Sequence, residues 1–329
     1  MPKKIAINGF GRIGRLTFRN LIKDSSVEVV AINDLTDAAT LAHLLEFDSS
    51  HGRFDGTVGV QDGNLVVNGH QIPIYSERNP EDLPWGKLEV DVVLECTGFF
   101  RKKEQAGLHL NAGAKKVLLS APAKSKEIPT IVRGVNDDQL TGKDLIVSNA
   151  SCTTNCLAPL VKVITDNWGL KYGYMSTIHA YTANQNLQDG PHSDLRRARA
   201  AALNMIPTST GAADALELVL PSAAGKINAS SIRVPIPTGS LVELTVATEK
   251  ETTAEEVNAT FKAASEAALK GVLEYTEKPI VSSDIVSSPY SSIFDAELTT
   301  VHQGLIKVTA WYDNEAGYSA RLTELAKMV

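Results

Sequence analysis

The stretch Ser148–Leu160, SNASCTTNCLAPL, carries two of the chain's three cysteines, Cys152 and Cys156, four residues apart. Cys152 lies between Ser151 and Thr153. It follows the apolar run DLIVSNAS and opens CTTNCLAPLVKVITDNWG, where Leu157, Leu160, Val161 and Ile164 fall at helical spacing. The N-terminus of a helix carries about half a positive charge, which favours thiolate over thiol. A thiolate there is a nucleophile suited to an aldehyde carbonyl. It needs a base, and His179, 27 residues on in the strand-like STIHAYT, is the candidate. The competing readings are weaker. C-x₃-C with no further Cys or His cluster is poor zinc spacing, so no metal is expected. A disulfide within one helical turn is disfavoured. For Cys156 and Cys96, the role of a small buried hydrophobe is the expectation.

A second constellation opens the chain. INGFGRIG places Gly9, Gly11 and Gly14 as G-x-G-x-x-G between a strand-like and a helical segment, and the next strand-like run, VEVVAIND, ends in Asp34, 20 residues after Gly14. Gly9 permits a tight turn, Gly11 lets backbone approach a pyrophosphate, and Gly14 lets helix and strand pack closely. The helix start offers unpaired N–H groups to phosphate. Asp34 suits a ribose diol and repels a 2′-phosphate, which favours NAD over NADP. The alternative is a strand–turn–helix that merely needs glycines.

The elements that must position these groups fall into two textures. Up to about residue 150, the strand-like KKIAING, VEVVAIND, DVVLECTG, KKVLLSAPA and DLIVSNAS alternate with the helical RIGRLTFRNLIKD and RKKEQAGLHLNAG. Apolar strands separated by helices predict a parallel sheet covered on both faces, a doubly wound α/β domain. Beyond Cys152, the long strand-like KYGYMSTIHAYT, LVELTVATEK and GLIKVTAWYDN surround one long helix, TTAEEVNATFKAASEAALKG, with a Thr253/Glu256 capping box and Gly271 as its stop. That pattern predicts an α+β domain with a mixed or antiparallel sheet. The expected division is 1–150, completed by a C-terminal helix over 316–329, and 151–315. The second part includes a loop at about 181–205 that mixes Asn, Asp, Gly and Pro with three arginines. A loop of that length in a compact domain is normally functional or an interface element.

Composition narrows the classes. The 329 residues are 43% hydrophobic with a net charge of −6. An acidic chain is a poor candidate for sequence-independent nucleic-acid binding. No apolar run approaches the roughly 18 residues a membrane span requires. Three cysteines do not make a disulfide framework, so a cytoplasmic location is expected.

The chain closely resembles the phosphorylating glyceraldehyde-3-phosphate dehydrogenase family. The resemblance rests on INGFGRIGR, AIND, DSSHGRFDG, ECTGFF, GAKKVLLSAP, SNASCTTNCLAP, STIHAYT, DLRRARAAALNMIPTSTGAA, RVPIP and WYDNEAGYS, in order and nearly end to end. It implies that Cys152 attacks the aldehyde of glyceraldehyde 3-phosphate with His179 as base. Hydride passes to NAD, and inorganic phosphate releases the thioester as an acyl phosphate. It further implies that Thr182, Arg197 and Arg233 hold the substrate phosphate, and that Ser151, Thr153, Thr210 and Gly211 hold the attacking one. On the cofactor side it adds Phe10, Arg12, Ile13, Arg78, Thr97 and Ser120, with Asn314 for the nicotinamide carboxamide and Tyr318 beside the ring. Pro191 matches the NAD-using members. A homotetramer is implied, with neither membrane nor nucleic acid as a primary partner. Departures from the common pattern, among them RVPIPTGS and Ala316, touch no proposed catalytic group. The rival readings are a dehydrogenase of another phosphorylated aldehyde such as erythrose 4-phosphate, and a secondary binding or adhesin role.

Overall fold

The apolar run at the start of the chain forms β1 (Lys3–Asn8), and the glycine-rich turn after it feeds α1 (Arg12–Leu21). Then follow β2 (Val27–Asn33), α2 (Ala38–Glu46), the short strands β3 (Val58–Gln61), β4 (Asn64–Val67) and β5 (His70–Ile72), and β6 (Ile74–Tyr75). The series closes with β7 (Val92–Glu95), α3 (Lys103–Asn111), β8 (Lys116–Leu119) and β9 (Ile146–Ser148). Six of these strands form one sheet in the order β6-β2-β1-β7-β8-β9, and every pairing in it is parallel. Strands β3–β5 form a separate antiparallel sheet.

The second series comprises α4 (Cys152–Trp168), β10 (Leu170–Ala180), β11 (Ile206–Thr208), α5 (Ala212–Val219), β12 (Ile227–Val234), β13 (Ser240–Thr248), α6 (Ala254–Glu266), β14 (Leu273–Thr276), β15 (Ser292–His302), β16 (Leu305–Tyr312) and α7 (Ala316–Met328). Its seven strands run β11-β12-β10-β13-β16-β15-β14 and mix parallel with antiparallel pairs. The α/β reading of the sequence holds in both parts.

The computed structural model describes residues 1–329. It separates into two units: Met1–Ile131 with Asp138–Ala150 and Ser319–Val329, and Val132–Asp137 with Ser151–Tyr318. In the first unit, Ile5, Ile7, Phe18 and Leu21 pack with Leu322, Leu325, Ala326 and Val329 from the end of the chain. Lys3 ties that end down, its Nζ donating to the carbonyls of Lys327 (2.8 Å) and Val329 (2.5 Å).

Two local features add to the sequence reading. The capping box forms as expected, Thr253 accepting from Glu256 N at 3.2 Å and Glu256 accepting from Thr253 N at 3.2 Å. The helix, however, stops at Glu266 rather than at Gly271. The chain leaves the helical path so that Leu269 and Val272 can be buried, 2% and 4% exposed. The other feature is the elbow between β9 and α4, where Ala150 takes a left-handed conformation, φ 55°. For a non-glycine residue this costs about 1–2 kcal/mol. The residue is fully buried, and its N–H is held by Ser148 Oγ at 3.1 Å.

Candidate active site and cofactor cleft

In the first unit, the C-terminal ends of β1, β2 and β7 open on a cleft of about 450 Å³, lined by Asn8, Gly9, Gly11, Asp34, Arg78 and Thr97 among others. The three glycines have separable reasons. Gly9 has φ +94°. A Cβ on Gly14 would lie 2.2 Å from the carbonyl oxygen of Gly9, so only glycine lets α1 seat against β1. A Cβ on Gly11 would meet nothing within 4 Å, so that face is open to a ligand. Gly11 is the N-cap of α1 and no side chain caps the helix, leaving its first turn able to serve an anion.

Asp34 is fixed by the turn around it. Its Oδ2 accepts from Phe10 N at 2.7 Å and its Oδ1 from Thr36 N at 2.9 Å, which leaves lone pairs on both oxygens for a diol. The open glycine face, the uncapped helix and the fixed carboxylate fit a dinucleotide. Arg12 is held by Asp48, Nη1 to Oδ2 2.6 Å. Thr97 is positioned by Glu95, which accepts from its N–H at 2.8 Å and from its hydroxyl. Ser120 bonds Cys96 and is not among the residues lining the cleft. Leu35, Phe99 and Glu77, absent from the sequence-derived set, do line it. Leu35 and Phe99 are 54% and 79% exposed, which leaves apolar surface on the cleft wall for a flat ring.

Beneath the cleft runs a buried polar chain. Trp85 Nε1 donates to His109 Nδ1 at 3.0 Å, so His109 presents Nε2–H to Glu95 at 3.1 Å. Asn8 donates to Glu95 at 2.6 Å and accepts from Asn33 at 2.7 Å. These residues fix the ends of the strands from which the cleft is built.

In the second unit, Cys152 begins α4 and His179 is the penultimate residue of β10. Their Sγ and Nε2 atoms are 3.4 Å apart. Ser151 is the N-cap, accepting from Thr154 N at 3.1 Å. The imidazole is 3% exposed and meets the Tyr312 ring edge-on, centroids 5.9 Å apart. The Tyr312 hydroxyl bridges Thr153 (3.0 Å) and Thr177 (2.9 Å), so one buried tyrosine braces both the nucleophile's neighbour and the base's strand.

Burial opposes the helix-start preference for thiolate. Burial pushes the Cys152 thiol up, and the opposing pull of Arg233 and Thr153 does not cancel it. Burial also lowers His179 to about 3, with Arg233 adding to the effect. The 3.4 Å contact is the path by which a proton passes between Sγ and Nε2 during attack. All three cysteines are free. Cys96 and Cys156 are both pushed up to about 12 by burial, and Cys156 rests against Ser292 Oγ at 3.6 Å. No group of three or more His, Cys, Asp or Glu is placed to hold a metal.

Of the expected anion donors, Arg233 meets this pair directly, its Nη1 2.9 Å from His179 Nδ1. Arg233 is the register partner of His179 across β10 and β12. Residues 181–205 contain no helix or strand. Within them Arg197 donates from Nε to Thr208 Oγ1 at 2.8 Å, from Nη2 to Ser209 O at 3.3 Å, and from Nη1 to Asn184. Asn184 N in turn donates to Thr182 Oγ1 at 3.4 Å. Arg197 thus stands between Thr182 and the segment leading to Thr210 and Gly211, and touches the surroundings of both expected phosphate sets. Asp194 steadies it at 3.5 Å, a partner the sequence reading did not name. Thr210 Oγ1 accepts from Ala212 N at 3.2 Å at the start of α5, whose N-cap is Gly211. Asn314 Oδ1 accepts from Ser240 at 2.9 Å, which orients its amide nitrogen. Tyr318 is buried at 5% exposure in α7.

Comparison with known proteins shows the family. Residues 3–103 match the family model described as glyceraldehyde 3-phosphate dehydrogenase, NAD binding domain, and residues 151–314 match the C-terminal domain of the same family. A glyceraldehyde-3-phosphate dehydrogenase of Geobacillus stearothermophilus is 56% identical over 331 residues, covering 100% of this chain and 98% of its own. One from Mycobacterium bovis (strain BCG / Pasteur 1173P2) is 56% identical, with 100% and 99% covered. One from Clostridium acetobutylicum is 54% identical, with 97% and 96% covered. With both domains matched and relatives of this identity aligned along the whole chain, the protein belongs to the glyceraldehyde-3-phosphate dehydrogenase family.

Proposed function

We propose that the chain is an NAD-dependent glyceraldehyde-3-phosphate dehydrogenase that oxidises its substrate through a thioester on Cys152. The observation that carries the mechanism is the 3.4 Å approach of His179 Nε2 to Cys152 Sγ. Attack on the aldehyde moves the Sγ proton to Nε2, forms the S–C bond and places the carbonyl electron pair on oxygen. The imidazolium returns its proton to that oxygen, giving a thiohemiacetal. Bound NAD would supply the hydride acceptor for this carbon. His179 withdraws the hydroxyl proton as the C=O bond re-forms, leaving a thioester on Cys152. Phosphate oxygen then attacks, the phosphate proton passes to solvent, and Cys152 leaves and recovers its proton from His179.

Arginine suits the two phosphates because its planar donors match phosphate oxygens and stay charged. Arg233, Arg197 and Thr182 are assigned to the substrate phosphate. Ser151, Thr153, Thr210 and Gly211 are assigned to the attacking one. The first three of these have side chains or first-turn positions already engaged within the protein, so anion binding exchanges internal bonds for bonds to phosphate. For the cofactor, Gly9, Phe10, Gly11, Arg12, Ile13 and Gly14 are assigned to the pyrophosphate. Asp34 takes the ribose, Arg78, Thr97 and Ser120 the adenosine side, and Asn314 and Tyr318 the nicotinamide. An NADH-formation assay with glyceraldehyde 3-phosphate tests the reading. Turnover is expected to require phosphate and to fall when NADP replaces NAD; phosphate-independent steady turnover contradicts it.

A homotetramer is proposed as the working form. One face of β10 leaves Tyr172 and Tyr174 65% and 49% exposed, and the 181–205 loop leaves Leu187, Leu195 and Leu203 at 79%, 81% and 83%. Exposed apolar side chains of this kind support an interface between copies of the chain. Light scattering on the purified chain distinguishes tetramer from monomer. No helix is long and apolar enough to cross a membrane. Three free cysteines support a reducing compartment, the cytoplasm.

A further inference from the structure

The buried polar chain beneath the cofactor cleft has its direction imposed from each end. At one end, the Trp85 indole can only donate, and its Nε1 lies 3.0 Å from His109 Nδ1. Nδ1 must therefore present a lone pair, and a ring with a bare Nδ1 carries its hydrogen on Nε2. That hydrogen lies on the 3.1 Å contact to Glu95 Oε2. At the other end, backbone orients Asn33: its Oδ1 accepts from Glu77 N at 2.8 Å and its Nδ2 donates to Glu77 O at 2.9 Å. The same Nδ2 donates to Asn8 Oδ1 at 2.7 Å, so the Asn8 amide must turn its own Nδ2 to Glu95 Oε2, 2.6 Å away. Asn8 Nδ2 and His109 Nε2, 3.4 Å apart, both carry hydrogen and share that oxygen.

The second oxygen is taken by Thr97. Its N–H donates to Glu95 Oε1 at 2.8 Å. Its Oγ1 accepts from Phe99 N at 3.1 Å and gives its own hydrogen to the same Oε1. Four donors thus converge on a side chain that is 1% exposed, and a carboxylate, which accepts at both oxygens and donates at neither, satisfies them all. The residues it holds frame the cofactor turn. Asn8 immediately precedes Gly9, and Asn33 immediately precedes Asp34. Thr97 packs on Gly9, where a Cβ would lie 2.8 Å from Thr97 N and 2.9 Å from Thr97 Cγ2. Asn8, Gly9, Asn33, Asp34 and Thr97 line the cleft, whereas Glu95 and His109 lie behind it.

We propose that Glu95 is a positioning residue for NAD: an obligate acceptor, fixed in that role by Trp85 through His109 and by Asn33 through Asn8, that holds Thr97 against Gly9 and so sets the shape of the cofactor turn. This rests on the reading that the cleft holds NAD. Glu95→Gln changes almost no volume but puts an amide N–H₂ against donors whichever way it turns, towards Thr97 or towards Asn8 and His109. The conflict at His109 has one release. Without the indole N–H of Trp85, Nδ1 can take the hydrogen, and Nε2 can then accept from the new amide.

The test uses the full chain with ¹⁵N-labelled histidine, beside calorimetric NAD titration. In the wild type without NAD, His109 is expected to show hydrogen on Nε2; hydrogen on Nδ1 would overturn the direction of the chain and the proposal with it. Glu95→Gln is expected to bind NAD about tenfold more weakly, the scale of leaving a buried donor unpaired. Adding Trp85→Phe to Glu95→Gln is expected to move the His109 hydrogen to Nδ1 and to recover part of the lost affinity. A double variant that binds NAD no more tightly than Glu95→Gln, or that keeps hydrogen on Nε2, contradicts the proposal, because a general loss of packing is not repaired by a second loss. If neither variant folds, Glu95 is a requirement of the fold and the positioning role is lost. Wild-type NAD affinity in Glu95→Gln removes the positioning role and leaves the cofactor reading standing, whereas a wild type that does not bind NAD removes the cofactor reading itself.

Discussion

Replacing Gly14 and Gly11 by alanine, one at a time, separates two roles of the glycine turn. A Cβ on Gly14 would sit 2.2 Å from a backbone oxygen, that of Gly9. Ordinary contact is at about 3.4 Å or more, so α1 must withdraw from β1 by roughly 1 Å. Forcing an extra methyl into a packed position costs about 1–3 kcal/mol. In a domain of this size, each kcal/mol lowers Tm by roughly 2–4 °C. The same withdrawal moves the first-turn N–H groups off the pyrophosphate, so NAD binding should weaken at least tenfold, or about 1.4 kcal/mol. Gly11→Ala meets nothing within 4 Å, and its φ of −72° suits alanine. Its stability penalty is that of a poorer N-cap, below about 1 kcal/mol. Its Cβ points into the open face, so NAD affinity should still fall. Differential scanning calorimetry without ligand, paired with calorimetric NAD titration, reads both effects. Wild-type NAD affinity in Gly11→Ala would refute the close approach of the pyrophosphate. An unchanged Tm in Gly14→Ala would refute the helix–strand packing argument.

Asp34→Ala should narrow the preference for NAD over NADP in kcat/KM; an unchanged ratio would remove the ribose role. Tyr312→Phe deletes a hydroxyl that bridges Thr153 and Thr177, and should cost about 1–2 kcal/mol in urea unfolding while raising KM for phosphate. His179 gives a stability signature of definite sign. Burial and Arg233 hold it neutral in the folded protein down to about pH 3, whereas an ordinary imidazole in the unfolded chain charges below about 6.5. The native state therefore binds fewer protons in that window, and stability falls as pH drops from about 6.5 towards 3. His179→Gln should flatten that part of the stability–pH curve, and an unaltered slope would contradict the buried neutral state.

Much of this fold is legible in its sequence because its signals are local. Apolar runs of four to eight residues bounded by glycine or asparagine gave the parallel strands. The Thr253/Glu256 box announced its helix start, since capping is decided within one turn. Three things were out of reach for physical reasons. The end of α6 depends on where Leu269 and Val272 find a core. The strands β3–β5 and the helices α2 and α5 are short, and their patterns do not rise above the surrounding sequence. The protonation of Cys152 follows from how much protein surrounds it, whereas the sequence reports only the helix end that opposes this burial. Arg197 illustrates a further limit: its place between Thr182 and Thr208 depends on a loop path with no periodicity to read. Glu95 and His109, which anchor the strand ends under the cofactor cleft, carry no motif of their own.

The central claim is that oxidation proceeds on Cys152 sulfur. Mixing enzyme, NAD and glyceraldehyde 3-phosphate without inorganic phosphate, then quenching in acid for peptide mass spectrometry, tests it directly. The expected result is one NADH per site with a 3-phosphoglyceroyl group on the Cys152 peptide, discharged when phosphate is added before the quench, and neither product in Cys152→Ser. NADH formed with no acyl group on Cys152, or an acyl group on Cys156 or Cys96 instead, would contradict it.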